Sequence, residues 1–301
     1  MTTHALTVDK IHALTVDKTH ALTVDVEDWF QVQAYADAVP PATWEQLPRR
    51  VEANTDRLLA LFAAAGVHAT FFTLGWVAER HPALVRRIVD GGHELASHGY
   101  WHRRVDSQDA AAFRADVHRA RDCLEQVGGT AVRGYRAPTF SIGPATPWAW
   151  DVLAETGHTY SSSVFPVRHD LYGNPDAPRT PHQPVAAMWE IPMTTVRVGG
   201  RNLPCSGGGW FRLVPYGVFR AGFGRATRKP GETGVFYIHP WEVDPGQPRV
   251  PAARWMASAR HRLNLARTQA RLARLLADFS WGRMDAAFPQ LVPGHSGGLH
   301  A

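Results

Sequence analysis

The chain has 301 residues, of which 45% are hydrophobic and 20% are charged. A chain of this size can bury about three quarters of its unfolded surface, which excludes a disordered or fibrous protein. The 32 Lys and Arg exceed the 27 Asp and Glu by five, and the basic residues form no cluster with aromatic ones like that of a nucleic-acid groove. We expect a globular protein that does not bind nucleic acid.

Cysteine content and apolar runs indicate the compartment. Cys123 and Cys205 are far apart and lie in no paired motif, so a disulfide framework or a cysteine-rich metal site is not expected. The N-terminus lacks the apolar core of a signal peptide, and no apolar run approaches the ~18 residues of a membrane span. These features predict a cytoplasmic protein without a transmembrane segment. No sequence feature specifies an oligomeric state.

The first predicted element is a strand in HALTVD, a sequence that occurs three times, starting at His4, His12 and His20. After it, helical and strand periodicity alternate along the chain. The predicted helices are 51–65, 77–90, 113–127 and 146–156, and the predicted strands are 68–75, 93–98, 131–138, 158–165, 188–198 and 234–239.

This repeated strand–helix–strand order indicates an α/β fold with a parallel sheet, either doubly wound or closed as a barrel. Both folds place ligands at the carboxyl ends of the strands. The stretch 166–233 is rich in Pro and Gly and predicts long loops or an inserted subregion. Between residues 260 and 279, leucines and arginines occupy opposite helical faces, which predicts a packed helix with a solvated basic face.

Three carboxylates follow the first strand, at Asp25, Glu27 and Asp28. Like charges this close repel unless a cation or an arginine lies among them. Alone, such a cluster is more often a loop cap than a site. Strand alternation puts Glu27 on the same side as Asp25, and Asp28 can reach the same point if the chain turns there. Both therefore remain candidate metal ligands.

Three further motifs follow predicted strands. His98 and His102 are four residues apart, so their rings would meet if the segment makes a helical turn. Arg136 precedes a proline-stiffened loop, and His239 ends a strand that Pro240 prevents from continuing. Each motif alone has an ordinary explanation in a chain with 16 His.

Together these residues match the requirements of a metal-assisted hydrolase. Two histidines and one carboxylate leave a metal position open for water. A second carboxylate can accept the proton of that water, an arginine can hold this carboxylate ionised, and a separate histidine can donate a proton to the leaving group.

These stretches resemble the polysaccharide deacetylases with a NodB homology domain (carbohydrate esterase family 4), most closely the subgroup associated with exosortase/PEP-CTERM exopolysaccharide loci. The matching sequences are HALTVDVEDWFQV, HELASHGYWHR, GYRAPTFSI, SSSVFPVRHDLYGNPDAPR, SGGGWFRLVPY and IHPWEVDPGQPR. The resemblance implies a distorted (β/α) barrel of about seven strands with long loops and a C-terminal helical extension. It also implies a catalytic domain at 20–285, of which 166–285 is specific to the subgroup. The repeats before it are interpreted as a redundant leader (1–19), and the residues after it as a flexible tail (286–301).

The resemblance further implies removal of acetyl groups from N-acetylated sugars of a polysaccharide or oligosaccharide, with zinc or another divalent transition metal as cofactor. In this reading Asp25 is the catalytic base and Arg136 is its partner. His239 is the general acid, and the backbone amide near Thr139 stabilises the oxyanion.

His98 and His102 resemble the two histidine ligands of the family, but the sequence departs from the family pattern in two places. Family members carry adjacent aspartates in the first motif and use the second as a ligand, whereas here a valine intervenes and Glu27 and Asp28 are the candidates. Ser161 stands where an aspartate is expected, which predicts the loss of a supporting contact.

Only the third copy of the repeat can supply the predicted site. If the strand slipped by eight residues, Asp17 would replace the base and Lys18 would follow it. An ammonium group near a divalent cation is unfavourable. We therefore predict that a protein beginning near Thr19 is as active as the full chain, which a comparison of specific activities would test. A large loss would show the leader to be structural.

Four alternative functions follow from the sequence. GHSGG (294–298) fits the G-x-S-x-G pattern of serine hydrolases but lacks room for the helix that must follow. A non-haem iron oxygenase also uses two histidines and one carboxylate. An inactive glycan-binding module could use the 11 Trp as stacking surfaces. A hydrolase of small cyclic amides is the fourth.

Overall fold

A computed structural model of the chain describes residues 18–169, 172–229 and 232–292. Most of the predicted leader and the GHSGG sequence lie outside the described residues. The strands are β1 (His20–Val26), β2 (Thr70–Thr73), β3 (Glu94–Ser97), β4 (Gly134–Tyr135), β5 (Tyr160–Ser161), β6 (His182–Val185), β7 (Met188–Glu190), β8 (Thr195–Val198), β9 (Arg201–Pro204), β10 (Val235–Ile238) and β11 (Trp281–Gly282).

The helices alternate with these strands through the first half of the chain. They are α1 (Val51–Ala65), α2 (Gly75–Arg80), α3 (Pro82–Asp90), α4 (Ala110–Gly128), α5 (Ala149–Glu155), α6 (Gly208–Leu213), α7 (Tyr216–Ala226), α8 (Trp255–Arg262), α9 (Leu265–Asp278) and α10 (Met284–Ala287). Short 3₁₀ helices occur in the connections.

The main sheet has the order β10-β1-β2-β3-β4-β5-β7-β6, and β11 also pairs with β1. Every pairing from β10 to β7 is parallel, and only β6 is antiparallel. Within the described residues no ladder joins β7 to β10, so the seven parallel strands form an open, distorted (β/α) barrel. Their carboxyl ends share one side of the molecule, as predicted for a ligand-binding edge.

Apolar packing explains the burial of the central strands. All seven residues of β1 are buried, as expected for a strand covered on both faces. Helix α1 ends at Gly66 with a φ of 65°, the left-handed conformation that glycine adopts without steric cost. Phe62 and Leu58 of this helix are fully buried against the sheet.

Several predicted elements are interrupted in the structure. The predicted helix 77–90 is two helices, because Pro82 has no amide hydrogen and begins a new helix. The predicted strand 188–198 divides into β7 in the main sheet and β8, which pairs only with β9. The region 166–233 is not only loops, since it contains β6 to β9, α6 and α7.

Helix α9 packs the C-terminal part of the chain against the barrel. Leu272 and Leu275 of α9 are fully buried, while Arg271 is half-buried and donates to main-chain carbonyls. Phe288 and Leu291, at the start of the predicted tail, are buried. Among the described residues, no helix combines the length and apolar character needed to cross a membrane.

Candidate active site

The first feature of the site is a buried ion pair between the ends of two strands. Asp25, on β1, accepts a hydrogen bond at Oδ1 from Nη1 of Arg136, which follows β4, at 2.6 Å. The same Nη1 donates to Thr23 Oγ1 at 2.7 Å. Asp25 is 2% exposed and Arg136 is fully buried. An ion pair this deep persists only with well-formed partners.

Arg136 obtains its other partners from the next strand. Its Nε and Nη2 donate to the backbone carbonyl and Oγ of Ser162, each at 3.0 Å. The guanidinium carbon lies 4.1 Å from the centre of the Phe72 ring, a cation–π distance. Arg136 therefore contacts β1, β2 and the end of β5, and it fixes the carboxylate of Asp25 because each of its donors has a defined direction.

A second cluster comprises Glu27, His98 and His102, whose potential ligand atoms all lie within 4.8 Å of one another. His102 Nε2 is 2.8 Å from Glu27 Oε2. The rings meet without a helical turn between the histidines, since Gly99 and His102 have φ values of 76° and 53°. These left-handed residues form a loop that folds the two rings to a centroid separation of 5.2 Å.

Burial and charge set the protonation of this cluster. His98 Nδ1 is 2.8 Å from the backbone carbonyl of Arg136, so Nδ1 carries the hydrogen and Nε2 keeps its lone pair. Burial lowers the pKa of His98 to about 4, which keeps the ring neutral. For Glu27, burial alone would raise the pKa, but the hydrogen bond from His102 and the surrounding histidine charges, those of His102 and His239 foremost, together hold the pKa below its usual range.

Asp28, the other candidate ligand, faces away from this cluster. Its Oδ1 accepts the amide hydrogen of Trp29 at 2.8 Å, and its Oδ2 accepts those of Arg50 at 2.7 Å and Val51 at 3.0 Å. Oδ2 thus serves the start of α1, where backbone N–H groups lack helical partners, and Oδ1 is occupied by the neighbouring amide of Trp29. The geometry places Glu27 with the histidines and corrects the assignment of Asp28 as a ligand.

The third feature is His239, at the end of β10. Its Nε2 lies 3.9 Å from Asp25 Oδ2 and 3.4 Å from Glu27 Oε1, while its Nδ1 is 2.7 Å from Glu242 Oε1. Burial disfavours charge on the ring, but the hydrogen bond to Glu242 and the nearby carboxylates outweigh it and raise the pKa of His239 to about 9. The ring is therefore protonated at neutral pH.

One pocket of about 140 Å³ brings these features together. Its lining includes Asp25, Glu27, Gln33, His98, His102, Thr139, Phe140, Tyr172, Tyr237, His239 and Trp241. Thr139 contributes from a left-handed conformation with a φ of 57°. Arg136 lies behind the pocket and reaches it through Asp25.

Ser161, where an aspartate was expected, makes a local contact. Its Oγ donates to Ser163 Oγ at 2.8 Å, and Ser163 Oγ accepts the amide hydrogen of Ala137 at 2.8 Å. Ser161 thus supports the loop that carries Arg136 indirectly, since Ser163 lies between Ser161 and Ala137.

Sequence reasoning missed three residues of the site. Trp241 donates from Nε1 to Glu27 Oε1 at 3.1 Å, Glu242 contacts His239, and Arg212 pairs with Glu242. The HPWE sequence offered a signal for Glu242, since a glutamate three residues after a helix N-cap often contacts that residue. Arg212 lies in the matching stretch SGGGWFRLVPY, but no pattern in that stretch connects it to Glu242.

Two family models match adjacent parts of the chain. Residues 36–161 match the model described as polysaccharide deacetylase, and residues 162–289 match a domain of unknown function. Residues 36–161 are therefore similar to the polysaccharide deacetylases. His239, Glu242 and Arg212 all belong to the second matched region.

Named deacetylases are similar to this chain over part of their length. A peptidoglycan deacetylase of Helicobacter pylori is 29% identical over 113 residues, 38% of each chain. A chitooligosaccharide deacetylase of Rhizobium leguminosarum bv. trifolii is 30% identical over 106 residues, 34% of this chain and 45% of the relative. The chain thus spans less than half of these curated relatives.

A solved structure confirms the fold. A Mycobacterium smegmatis protein assigned to the polysaccharide deacetylases is similar with a TM-score of 0.58 and 20% identity, over 92% of this chain and 91% of the other. Because the similarity covers 92% of this chain, the NodB-type (β/α) fold includes the region matched by the second family model.

Proposed function

We propose that this protein is a metal-dependent deacetylase that removes N-acetyl groups from sugar residues of a polysaccharide. The observation that carries the proposal is the convergence of Glu27, His98 and His102 within 4.8 Å in the pocket that Asp25 and His239 also line. The peptidoglycan and chitooligosaccharide deacetylases among the relatives support an N-acetylated glycan as substrate.

The donor set fits a divalent transition metal such as zinc. Glu27 Oε2 is buried and lies 2.8 Å from His102 Nε2, which is itself a potential ligand atom, and a buried carboxylate oxygen of this kind needs a cation or a donor. His98 offers Nε2, since its Nδ1 is engaged. When bound, such an ion supplies Lewis-acid chemistry, polarising the acetamide carbonyl and making water a stronger acid.

Asp25 and His239, which both line the pocket, supply the proton transfers of the reaction. Asp25 accepts the proton of the attacking water at Oδ2, because Oδ1 is held by Arg136. His239 faces the pocket with Nε2 and donates a proton to the departing nitrogen. The carbon–oxygen bond forms, the carbon–nitrogen bond breaks, and the products are acetate and a free amino sugar. In this scheme the backbone amide near Thr139 stabilises the oxyanion.

Metal analysis combined with an acetate-release assay tests this function. We expect one divalent ion per chain, acetate release from N-acetylated oligosaccharides, loss of activity to background after chelation, and recovery when Zn²⁺ is added back. Chelation removes the Lewis acid without altering the protein residues.

Other outcomes would support a different function. Full activity in metal-free protein would contradict metal dependence. Substrate-dependent oxygen uptake would indicate an iron oxygenase, and activity limited to small cyclic amides would indicate that class of hydrolase. Glycan binding without acetate release would favour an inactive binding module.

For the biological setting, we propose exopolysaccharide biosynthesis in the cytoplasm, in the exosortase/PEP-CTERM-associated subgroup. The resemblance of the motifs on both sides of residue 161 supports this proposal. Faster acetate release from exopolysaccharide fragments than from peptidoglycan would agree with it, and the reverse preference would contradict it.

A further inference from the structure

A buried arginine distant in sequence from the first three motifs holds the carboxylate that contacts His239. Arg212, on α6, donates from Nε to Glu242 Oε2 at 2.6 Å. Its Nη1 donates to the backbone carbonyls of His261 at 2.8 Å and Leu263 at 2.7 Å. Arg212 is 3% exposed and Glu242 is fully buried. The arginine therefore joins Glu242 to the junction between α8 and α9.

Each oxygen of Glu242 has a separate task. Oε2 accepts from Arg212, while Oε1 accepts the backbone amide of His239 at 3.1 Å and lies 2.7 Å from His239 Nδ1. A buried carboxylate needs a paired charge and satisfied hydrogen bonds. Because a guanidinium group offers donors in fixed directions, Arg212 determines how Glu242 is oriented, and Glu242 determines which nitrogen of His239 faces the pocket.

We propose that Arg212 is a positioning residue for the general acid, acting through Glu242 to hold the His239 ring with Nε2 towards the reacting nitrogen. The inference rests on the proposed function. It gives a task to the region that matches a domain of unknown function, residues 162–289: this region supplies the general acid together with the residues that orient it.

The test is the dependence of the reaction on its leaving group. An amine departs from an amide only with a proton, whereas 4-nitrophenolate departs from 4-nitrophenyl acetate without one. We expect Arg212→Gln to lower kcat for an N-acetylglucosamine oligomer by about 10²-fold, the scale of general acid catalysis, and to change kcat for the ester little. Arg212→Lys restores the charge but not the fixed directions of the guanidinium donors, so this variant should recover part of the lost kcat.

Arg271→Gln is the matched control. Arg271 also donates to main-chain carbonyls near α6, those of Phe211, Arg212 and Val214, but it makes no contact with Glu242 among the described residues. We expect this variant to keep the wild-type kcat for both the amide and the ester. Glu242→Gln, which keeps the side-chain size, should reproduce the selective loss even if Arg212→Gln fails to fold.

A spectroscopic readout is independent of turnover. A histidine Nδ1–H that donates to a carboxylate gives a strongly downfield proton NMR signal, here assigned by its absence in His239→Gln. We expect the metal-free wild type and Arg271→Gln to show this signal and Arg212→Gln to lose it.

Two results would overturn the inference alone while wild-type deacetylation persists. One is an equal loss for amide and ester in Arg212→Gln and Glu242→Gln, and the other is behaviour like that of Arg271→Gln. A wild type that releases acetate from neither substrate would overturn the proposed function, and with it this inference.

Discussion

Replacing Asp25 with asparagine is expected to lower kcat for deacetylation by about 10³-fold, within the range for loss of a general base, while bound metal stays at the wild-type level. The amide cannot accept the water proton, and Asp25 is not one of the three clustered ligands. Arg136 would lose its buried counter-charge, so the free energy of unfolding should fall by roughly 3 kcal/mol. Kinetics, metal analysis and denaturant unfolding measure the three effects.

Asp244→Asn provides the matched control. Asp244 is also a buried aspartate paired with an arginine, Arg50, but it does not line the active-site pocket. We expect this variant to lose stability and keep kcat per folded molecule. Wild-type turnover in Asp25→Asn would refute the assignment of the base.

The second large effect should separate Glu27 from Asp28. Glu27→Gln should weaken Zn²⁺ affinity by more than about 100-fold, because even the outer hydrogen-bond partners of metal ligands contribute 10- to 100-fold. Asp28→Asn should retain the metal and lose about 1 kcal/mol of stability, since it loses acceptors for the N–H groups at the start of α1. Competition titration with a zinc chelator and denaturant unfolding measure the two effects.

The reverse pattern would assign the ligand to Asp28. Metal loss in Asp28→Asn with intact binding in Glu27→Gln would contradict the geometry described above. Equal metal loss in both variants would show that the loop, rather than one carboxylate, determines affinity, provided that both variants remain folded.

The residue types of the site were predictable from the sequence because each follows a parallel strand. Asp25, His98, Arg136 and His239 come at or just after the ends of β1, β3, β4 and β10, and parallel strands bring these ends to one edge. The choice between Glu27 and Asp28 was not predictable. It depends on the N–H groups at the start of α1, which lie far along the chain.

The contact between Arg212 and Glu242 was also not predictable from the sequence. Arg212 lies on a short helix in a region that reads as Pro- and Gly-rich loop. Apart from Glu242, the hydrogen-bond acceptors of Arg212 among the described residues are backbone carbonyls, which leave no trace in residue identity. Likewise, the strand predicted at 131–138 is only two residues long in β4, because buried loop residues share the apolar composition of a strand.

The pairing of β1 has a consequence for biosynthesis. The strand that carries Asp25 is synthesised before its partners β10 and β11, and most of the described residues lie between them in the chain. Contacts this distant in sequence form slowly. One edge of this apolar strand therefore stays unpaired until β10 and β11 have been synthesised, and we expect nascent chains to depend on chaperones until then.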